Sequence, residues 1–287
     1  MKKKISIIFI LVLTVLFGWN YYNTIKGKSM VGAEVTPNDD ISEVNIDYSN
    51  RKEEAIEYIQ LQSNEVNIPI LMYHSISDAD SNNNLLMPPS MFKEQMIWLK
   101  SNNFTAMTLD EAVTSMETGK VPKRPVILTF DDGYVDNYTV AYPILKESGL
   151  KGTFFIITSM IDTSTSYMNS DMLKEMSNNE MSIENHTHHH FDLPTGSIEN
   201  QKATIKKGQE ILKEKIGVES KFLCYPTGKY TKDTISVLDN LGVKAAVTTK
   251  GGIAHIGNGL YELRRVRMSP MNIEAFSSIF TSYMNYY

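Results

Sequence analysis

Two carboxylates, Asp131 and Asp132, stand side by side at the end of the apolar run VILTF. Histidines crowd into HTHHH at residues 186–190, another, His74, follows IPILMY, and YPTGKY occupies residues 225–230. Adjacent like charges in a poorly solvated place cost free energy unless something cationic holds them. If two of the histidines and one aspartate meet on a divalent ion, that cost is relieved and the second aspartate is left beside an activated water as a base. Two nitrogen ligands, one carboxylate and an open position form a common catalytic zinc arrangement. Each signal alone has a plain reading: Asp-Asp-Gly is turn-forming, a histidine cluster can be surface decoration, and a histidine at a strand end can be a satisfied core residue. Cys224 reads as a small buried residue rather than a nucleophile, with no histidine nearby in sequence to activate it.

These groups matter together only if the fold brings them to one place. Apolar runs predict strands at residues 68–74, 126–130, 152–158, 181–185, 221–225, 245–248 and 263–266. Between them lie helical patterns: Phe92, Met96 and Leu99 at i, i+4, i+7, then residues 134–148 closed by Gly149, residues 201–216 and residues 231–241. Strand-then-helix units repeated over about 220 residues fit an α/β architecture, a distorted barrel of about seven parallel strands. In such barrels chemistry sits where strands end at their C-terminal side. His74, Asp131-Asp132, the histidine run and YPTGKY all fall at such ends.

Composition narrows the partners. With 42% hydrophobic and 21% charged residues the 287-residue chain has the profile of a globular protein, and a net charge of -5 with no basic block gives no footprint for nucleic acid. One cysteine excludes an intrachain disulfide and a thiolate zinc cluster, so any metal must be held by His and carboxylates. The N-terminus has three lysines, an uncharged run over residues 5–22 with Trp19, Tyr21 and Tyr22 at its end, and then Lys26 and Lys28. That pattern predicts an uncleaved signal-anchor in the membrane over residues 1–22, the lysines cytoplasmic and the remainder outside, with secretion after cleavage as the alternative. Residues 23–66 read as a polar extracellular linker and residues 67–287 as the catalytic domain, expected to be monomeric.

The motifs together resemble the polysaccharide deacetylases, the NodB-homology or carbohydrate esterase family 4 proteins, over about residues 68–277. TFDDGY at 129–134 is similar to the family's first motif, and His186-Thr187-His188-His189-His190 to its second. The resemblance implies that Asp131 is the catalytic base and that Asp132, His186 and His190 hold the metal, with Zn2+ expected and Ni2+ or Co2+ as alternatives. YHSI at 73–76, the Phe92 helix and RRVRMS at 264–269 resemble the extracellular poly-N-acetylglucosamine deacetylases, which implies that His74 supplies the acid. The sequence departs from the family where many members have an arginine that partners the base: here the stretch is Cys224-Tyr225-Pro226-Thr227-Gly228, and Arg265 is the candidate replacement. Asn185 also stands where serine commonly precedes the metal histidine.

The implied activity is metal-dependent removal of N-acetyl groups from N-acetylglucosamine residues of an extracellular or cell-wall polysaccharide. A backbone N–H of the Tyr225, Pro226, Thr227, Gly228 loop is expected to meet the oxyanion, and Tyr225 and Tyr230 are candidates for stacking on a sugar ring as well as for core packing. An O-acetyl glycan esterase would use the same groups. A catalytically silent glycan-binding protein is disfavoured because the ligands, the base and the acid are all present.

Overall fold

The structure is a computed structural model that describes residues 56–281. The expected membrane segment and most of the expected linker lie outside the described residues. Seven strands close into a parallel barrel: β3 (Ile70–Tyr73), β6 (Pro125–Phe130), β7 (Thr153–Ile156), β8 (Ser182–Asn185), β9 (Phe222–Cys224), β10 (Ala245–Gly251) and β12 (Leu263–Arg267), with β12 returning to β3 and β3 pairing with β6. The remaining strands are short. β4 (Thr105–Ala106) adds in parallel to the start of β6, β1 (Tyr58–Gln60) pairs antiparallel with β5 (Lys120–Pro122), and β2 (Asn67–Ile68) pairs antiparallel with β11 (Ala254–His255).

Alternation along each strand separates two environments, as the two-residue side-chain period requires. Ile70, Ile127, Phe155, Phe222, Cys224, Ala245, Val247 and Leu263 join one buried cluster. Their strand neighbours Leu71, Val126, Leu128, Phe154 and Ile156 join another, packed on Phe92, Met96 and Leu99 of the helix Pro89–Ser101 and on Leu145. Parity then places the chemistry. Thr129 and Asp131 continue the Ile127 face, Cys224 the Phe222 face and Arg265 the Leu263 face, so all four point toward the barrel axis.

One boundary differs from expectation. Ordered structure is already present ahead of Asn67, within the stretch expected as linker: residues 58–60 form an edge strand and Val66 is fully buried. Alternate exposure of Tyr58, Ile59 and Gln60 leaves too little apolar periodicity to mark that strand in sequence. A second difference lies inside the helix predicted over residues 134–148, where residues 137–141 form a π-turn before the α-helix Tyr142–Ser148. Pro143 explains it: proline has no N–H to give to the preceding turn and its ring crowds that turn's carbonyl. The helix widens, and the Tyr142 N–H bonds to the Asn137 carbonyl five residues back.

The seam between β8 and β9 is thin, with Asn185 opposite Leu223 as its register pair, and side chains reinforce it. The Glu184 carboxylate accepts from the Ser220 hydroxyl (2.8 Å) and from the Lys221 and Phe222 N–H groups (2.9 and 3.0 Å). Asn185 donates to the Ile205 carbonyl in the helix Ile198–Ile211 (2.9 Å) and accepts from the Thr187 N–H (2.8 Å), at the turn that begins the histidine loop. The larger residue that replaces serine is accommodated by Gly208, where a Cβ would fall 2.2 Å from Asn185 Oδ1. Gly208→Ala should therefore lower the thermal midpoint by an amount equivalent to about 1–3 kcal/mol and weaken metal binding by displacing the histidine turn. Calorimetry with metal titration checks this, and an unchanged midpoint with unchanged affinity would remove Asn185 from the account.

Candidate active site

The adjacent carboxylates go to different partners. Asp131 follows β6 with its side chain into the barrel, and Asp132 adopts φ 75°, a left-handed conformation followed by Gly133 at φ 84°. Non-glycine residues seldom adopt it, though aspartate does so more readily than most. The reversal gives successive side chains two separate destinations.

Asp131 meets Arg265 in a two-pronged ion pair, Nη1 to Oδ1 at 2.8 Å and Nη2 to Oδ2 at 2.7 Å. Arg265 is fully buried and Asp131 nearly so. Arg265 also donates through Nη1 to Thr129 Oγ1 (3.0 Å), through Nε to the Thr248 carbonyl (2.9 Å) and through Nη2 to Cys224 Sγ (3.2 Å). All five guanidinium N–H groups are thereby used. Burial by itself pushes the Asp131 carboxyl up, but the Arg265 charge and its hydrogen bonds outweigh that and hold the group well below the usual carboxylate range.

Asp132 Oδ1 lies 3.3 Å from His186 Nε2 and 3.6 Å from His190 Nε2. One donor atom from each of the three residues falls within 4.8 Å of the others, a set of two imidazoles and a carboxylate that fits a divalent ion. His186 Nδ1 bonds the Cys224 carbonyl at 2.8 Å. That bond requires the proton on Nδ1 and leaves the Nε2 lone pair facing Asp132, the orientation a metal needs. Burial and the neighbouring His186 lower the His190 pKa, which favours the neutral, ligating form. Its side chain is 37% exposed against 3% for His186, so the site is closed on the His186 side and open at His190.

His74 follows β3 directly, and its Nε2 stands 3.9 Å from Asp131 Oδ2. Burial lowers its pKa, against the pull of the Asp131 and Asp132 charges. His188 lies aside from the trio, with Nδ1 3.0 Å from Thr158 Oγ1, and its ring packs on the exposed His189.

The YPTGKY stretch is divided. The Tyr225 ring is buried and stacks on Tyr230 at 4.6 Å in a cluster behind β9 and β10, with its hydroxyl on the Tyr261 carbonyl. The Tyr230 hydroxyl bonds Glu262 and Lys250, whose ammonium lies 4.8 Å from the ring centroid. Tyr225 is therefore a packing residue and offers no face to a sugar, because parity on β9 sends it to the outer face opposite Cys224, whereas Tyr230 is half-buried. The loop's backbone narrows the donor expected for an oxyanion. The Tyr225 N–H goes to the Val247 carbonyl and the Gly228 N–H to the Tyr225 carbonyl, while Pro226 has none. Among the described residues the Thr227 N–H is the donor left, at a residue turned to φ 57°.

Sequence alone gives Cys224 as a small buried residue. Its Sγ in fact lies 3.2 Å from Arg265 Nη2 and 3.4 Å from Asp131 Oδ2. The signal was its parity with Phe222, which directs it to the axis. Burial raises the thiol pKa and keeps it protonated, able to donate to Asp131.

Fold and site together define a barrel hydrolase in which two imidazoles and a carboxylate, a set that fits a divalent ion, stand beside a second, arginine-bound carboxylate. The chain belongs to the polysaccharide deacetylase family and is a deacetylase. The family profile "Polysaccharide deacetylase" matches residues 118–246. The Bacillus subtilis protein YxkH, named for the same family, is 36% identical over 217 residues, 75% of this chain and 76% of its own. A Staphylococcus aureus poly-beta-1,6-N-acetyl-D-glucosamine N-deacetylase is 27% identical over 257 residues, 84% of this chain and 87% of its own. The Streptococcus pyogenes deacetylase PplD, solved with acetate, superposes with a TM-score of 0.72 at 34% identity, covering 74% of this chain and 97% of its own.

Two tests follow from the geometry. Asp132→Ala, His186→Ala and His190→Ala should each lose bound metal and activity together, while His188→Ala and His189→Ala keep both. Metal content by mass spectrometry decides, and equal loss from every histidine change would refute the ligand choice. Arg265→Met should cost about 3–5 kcal/mol, because Asp131 remains buried without its partner. In the native protein the depressed Asp131 pKa adds stability above the unfolded carboxylate value, about 4, and loses it as pH falls through the folded one. Without Arg265 burial raises that pKa, so the variant should destabilise as pH rises from about 4. Denaturation midpoints at pH 4 and pH 8 measure the reversal.

Proposed function

We propose that the protein removes N-acetyl groups from N-acetylglucosamine residues of an extracellular or cell-wall polysaccharide, using a divalent ion, Zn2+ by preference with Ni2+ or Co2+ as alternatives. The observation that carries this reading is the placement of His74 3.9 Å from Asp131, with the Asp132, His186 and His190 trio alongside. That supplies a base, a metal site and an acid at one strand-end face. Names borne by relatives point the same way: the S. aureus protein is a poly-beta-1,6-N-acetyl-D-glucosamine deacetylase, and PplD was solved with acetate, the product such a reaction would release. The basic-apolar-aromatic N-terminus supports a membrane-anchored catalytic domain outside the cell.

An acetamide is a poor electrophile and its amine a poor leaving group. An ion on the trio would polarise the carbonyl and acidify water. Asp131, ionised through the working pH range, accepts the proton of the attacking water; Arg265 occupies one acceptor position on each carboxylate oxygen and leaves others open. The Thr227 N–H donates to the carbonyl oxygen as it gains charge, a contact typically worth about 3–4 kcal/mol in hydrolases. His74 protonates the departing nitrogen. Its lowered pKa makes the imidazolium a ready donor.

The test is acetate release by the full chain, metal-depleted and metal-restored, from poly-N-acetylglucosamine, peptidoglycan, chitin oligomers and an O-acetylated xylan. Release from the first three, restored by metal, supports the reading; release from the xylan alone replaces it with the esterase. An aryl acetate, whose phenolate leaves without protonation, then separates the roles. Asp131→Asn should lose about 100- to 10,000-fold on both aryl ester and amide, while His74→Ala loses that much on the amide only. Equal damage by His74→Ala on both substrates would end its assignment as the acid.

A further inference from the structure

A general acid must be held in place, yet no hydrogen bond holds the His74 ring among the described residues. Its distance to Asp131, 3.9 Å, exceeds hydrogen-bond reach. The backbone is held instead. Asn137 Nδ2 donates to the His74 carbonyl at 2.8 Å, Ser75 Oγ donates to Asp136 Oδ2 at 2.5 Å, and the Ile76 N–H donates to Asp136 Oδ1 at 3.0 Å. A further bond from Asn137 Nδ2 to Asp136 Oδ1, 3.0 Å, ties the two clamping side chains together. Three consecutive residues after β3 are thus gripped by two consecutive residues that follow the Asp131-Asp132-Gly133 loop.

Two features set this apart from ordinary loop bonding. Asn137 is fully buried, and its Oδ1 has no partner, a cost that an apolar residue would avoid. It also stands at the head of the π-turn, where its carbonyl accepts from the Tyr142 N–H five residues on while its side chain reaches the His74 carbonyl. One short segment, residues 131–137, therefore carries the base, a metal ligand and the clamp on the acid.

We propose that Asp136 and Asn137 are positioning residues that act through the backbone of His74, Ser75 and Ile76 to fix the His74 ring relative to Asp131 and the leaving nitrogen. This rests on the reading of His74 as the acid. Misplacement of about 1 Å at a reacting group can cost about 100-fold. Asp136→Ala in the full chain should lower kcat on the acetamide about 10- to 100-fold, leave KM and metal content unchanged, and spare the aryl acetate. The decisive measurement is the double variant: if Asp136 acts through His74, adding Asp136→Ala to His74→Ala should bring no further loss on the amide. Ser75→Ala, which removes one clamp bond without a buried charge, should give the same pattern in smaller degree, and serves should Asp136→Ala fail to fold. Equal loss on both substrates, or full additivity with His74→Ala, would overturn the positioning role. If His74→Ala itself fails to discriminate amide from aryl ester, the acid assignment falls instead, so the two failures are distinguishable.

Discussion

An arginine in the axis of a barrel is the constraint around which this site is arranged. A buried guanidinium is tolerated only if its charge is matched and every N–H finds an acceptor. Arg265 meets both conditions by reaching Asp131 and Thr129 from β6, Cys224 from β9 and the Thr248 carbonyl from β10. Thr129 in turn donates to the Leu71 carbonyl on β3 at 2.7 Å. Three strands converge on the cation that β12 carries, a further one, β3, is tied in through Thr129, and none can shift without leaving an unsatisfied group in the interior. The orientation of Asp131 follows from the pairing: with both oxygens engaged, its carboxylate plane is fixed to the guanidinium plane.

Fixing Asp131 also fixes where Asp132 can go. A regular strand continuation would send the second carboxylate to the outer face, away from the axis. The left-handed turn at Asp132 and Gly133 redirects it toward His186 and His190 instead. Comparable left-handed residues recur on the same rim at Thr187, His190, Thr227 and Gly228. Backbone conformations of this kind persist where surrounding contacts over-determine them, and here those contacts include the Asn185 bond to the Thr187 N–H and the His186 bond to the Cys224 carbonyl. Strain and chemistry occupy the same loops because both arise from turning side chains back over a strand end.

Much of this was legible in the sequence for physical reasons. Seven apolar runs with intervening helical periodicity imply a parallel barrel, and polar residues at their ends imply a site there. Arg265 could be named as a candidate because a family-like motif lacked its arginine and RRVRMS supplied one in a predicted strand, although the bidentate geometry had to come from the fold. Other features left no sequence trace. The edge strand at residues 58–60 is half exposed and short. Tyr225 and Tyr230 read equally as sugar platform and core, and only strand parity puts Tyr225 on the outer face. Cys224 is one residue from that reading on the inner face, and its contact with Asp131 depends on the register of β9 against β8 and β10, which periodicity does not encode. The π-turn is not legible because apolar periodicity runs unbroken through residues 134–148, although Pro143 lies in the interior of that predicted helix, where it breaks the winding.

The spacing between His74 and Asp131 governs what the ring can do with its proton. At about 2.8 Å an imidazolium and a carboxylate form a charge-assisted hydrogen bond, which would raise the histidine pKa and keep its proton on that bond rather than offer it to a leaving group. At 3.9 Å the attraction persists without the bond. The net shift at His74 is downward, set first by burial. The Arg265 charge also lowers that pKa, and the paired guanidinium fixes the Asp131 carboxylate where His74 stays beyond hydrogen-bond reach. The ring is therefore left unbonded beside Asp131, and its placement must come from the chain that carries it. A barrel that commits its arginine to Asp131 needs a different hold on His74, and the bonds between Asp136, Asn137 and the segment after β3 provide one.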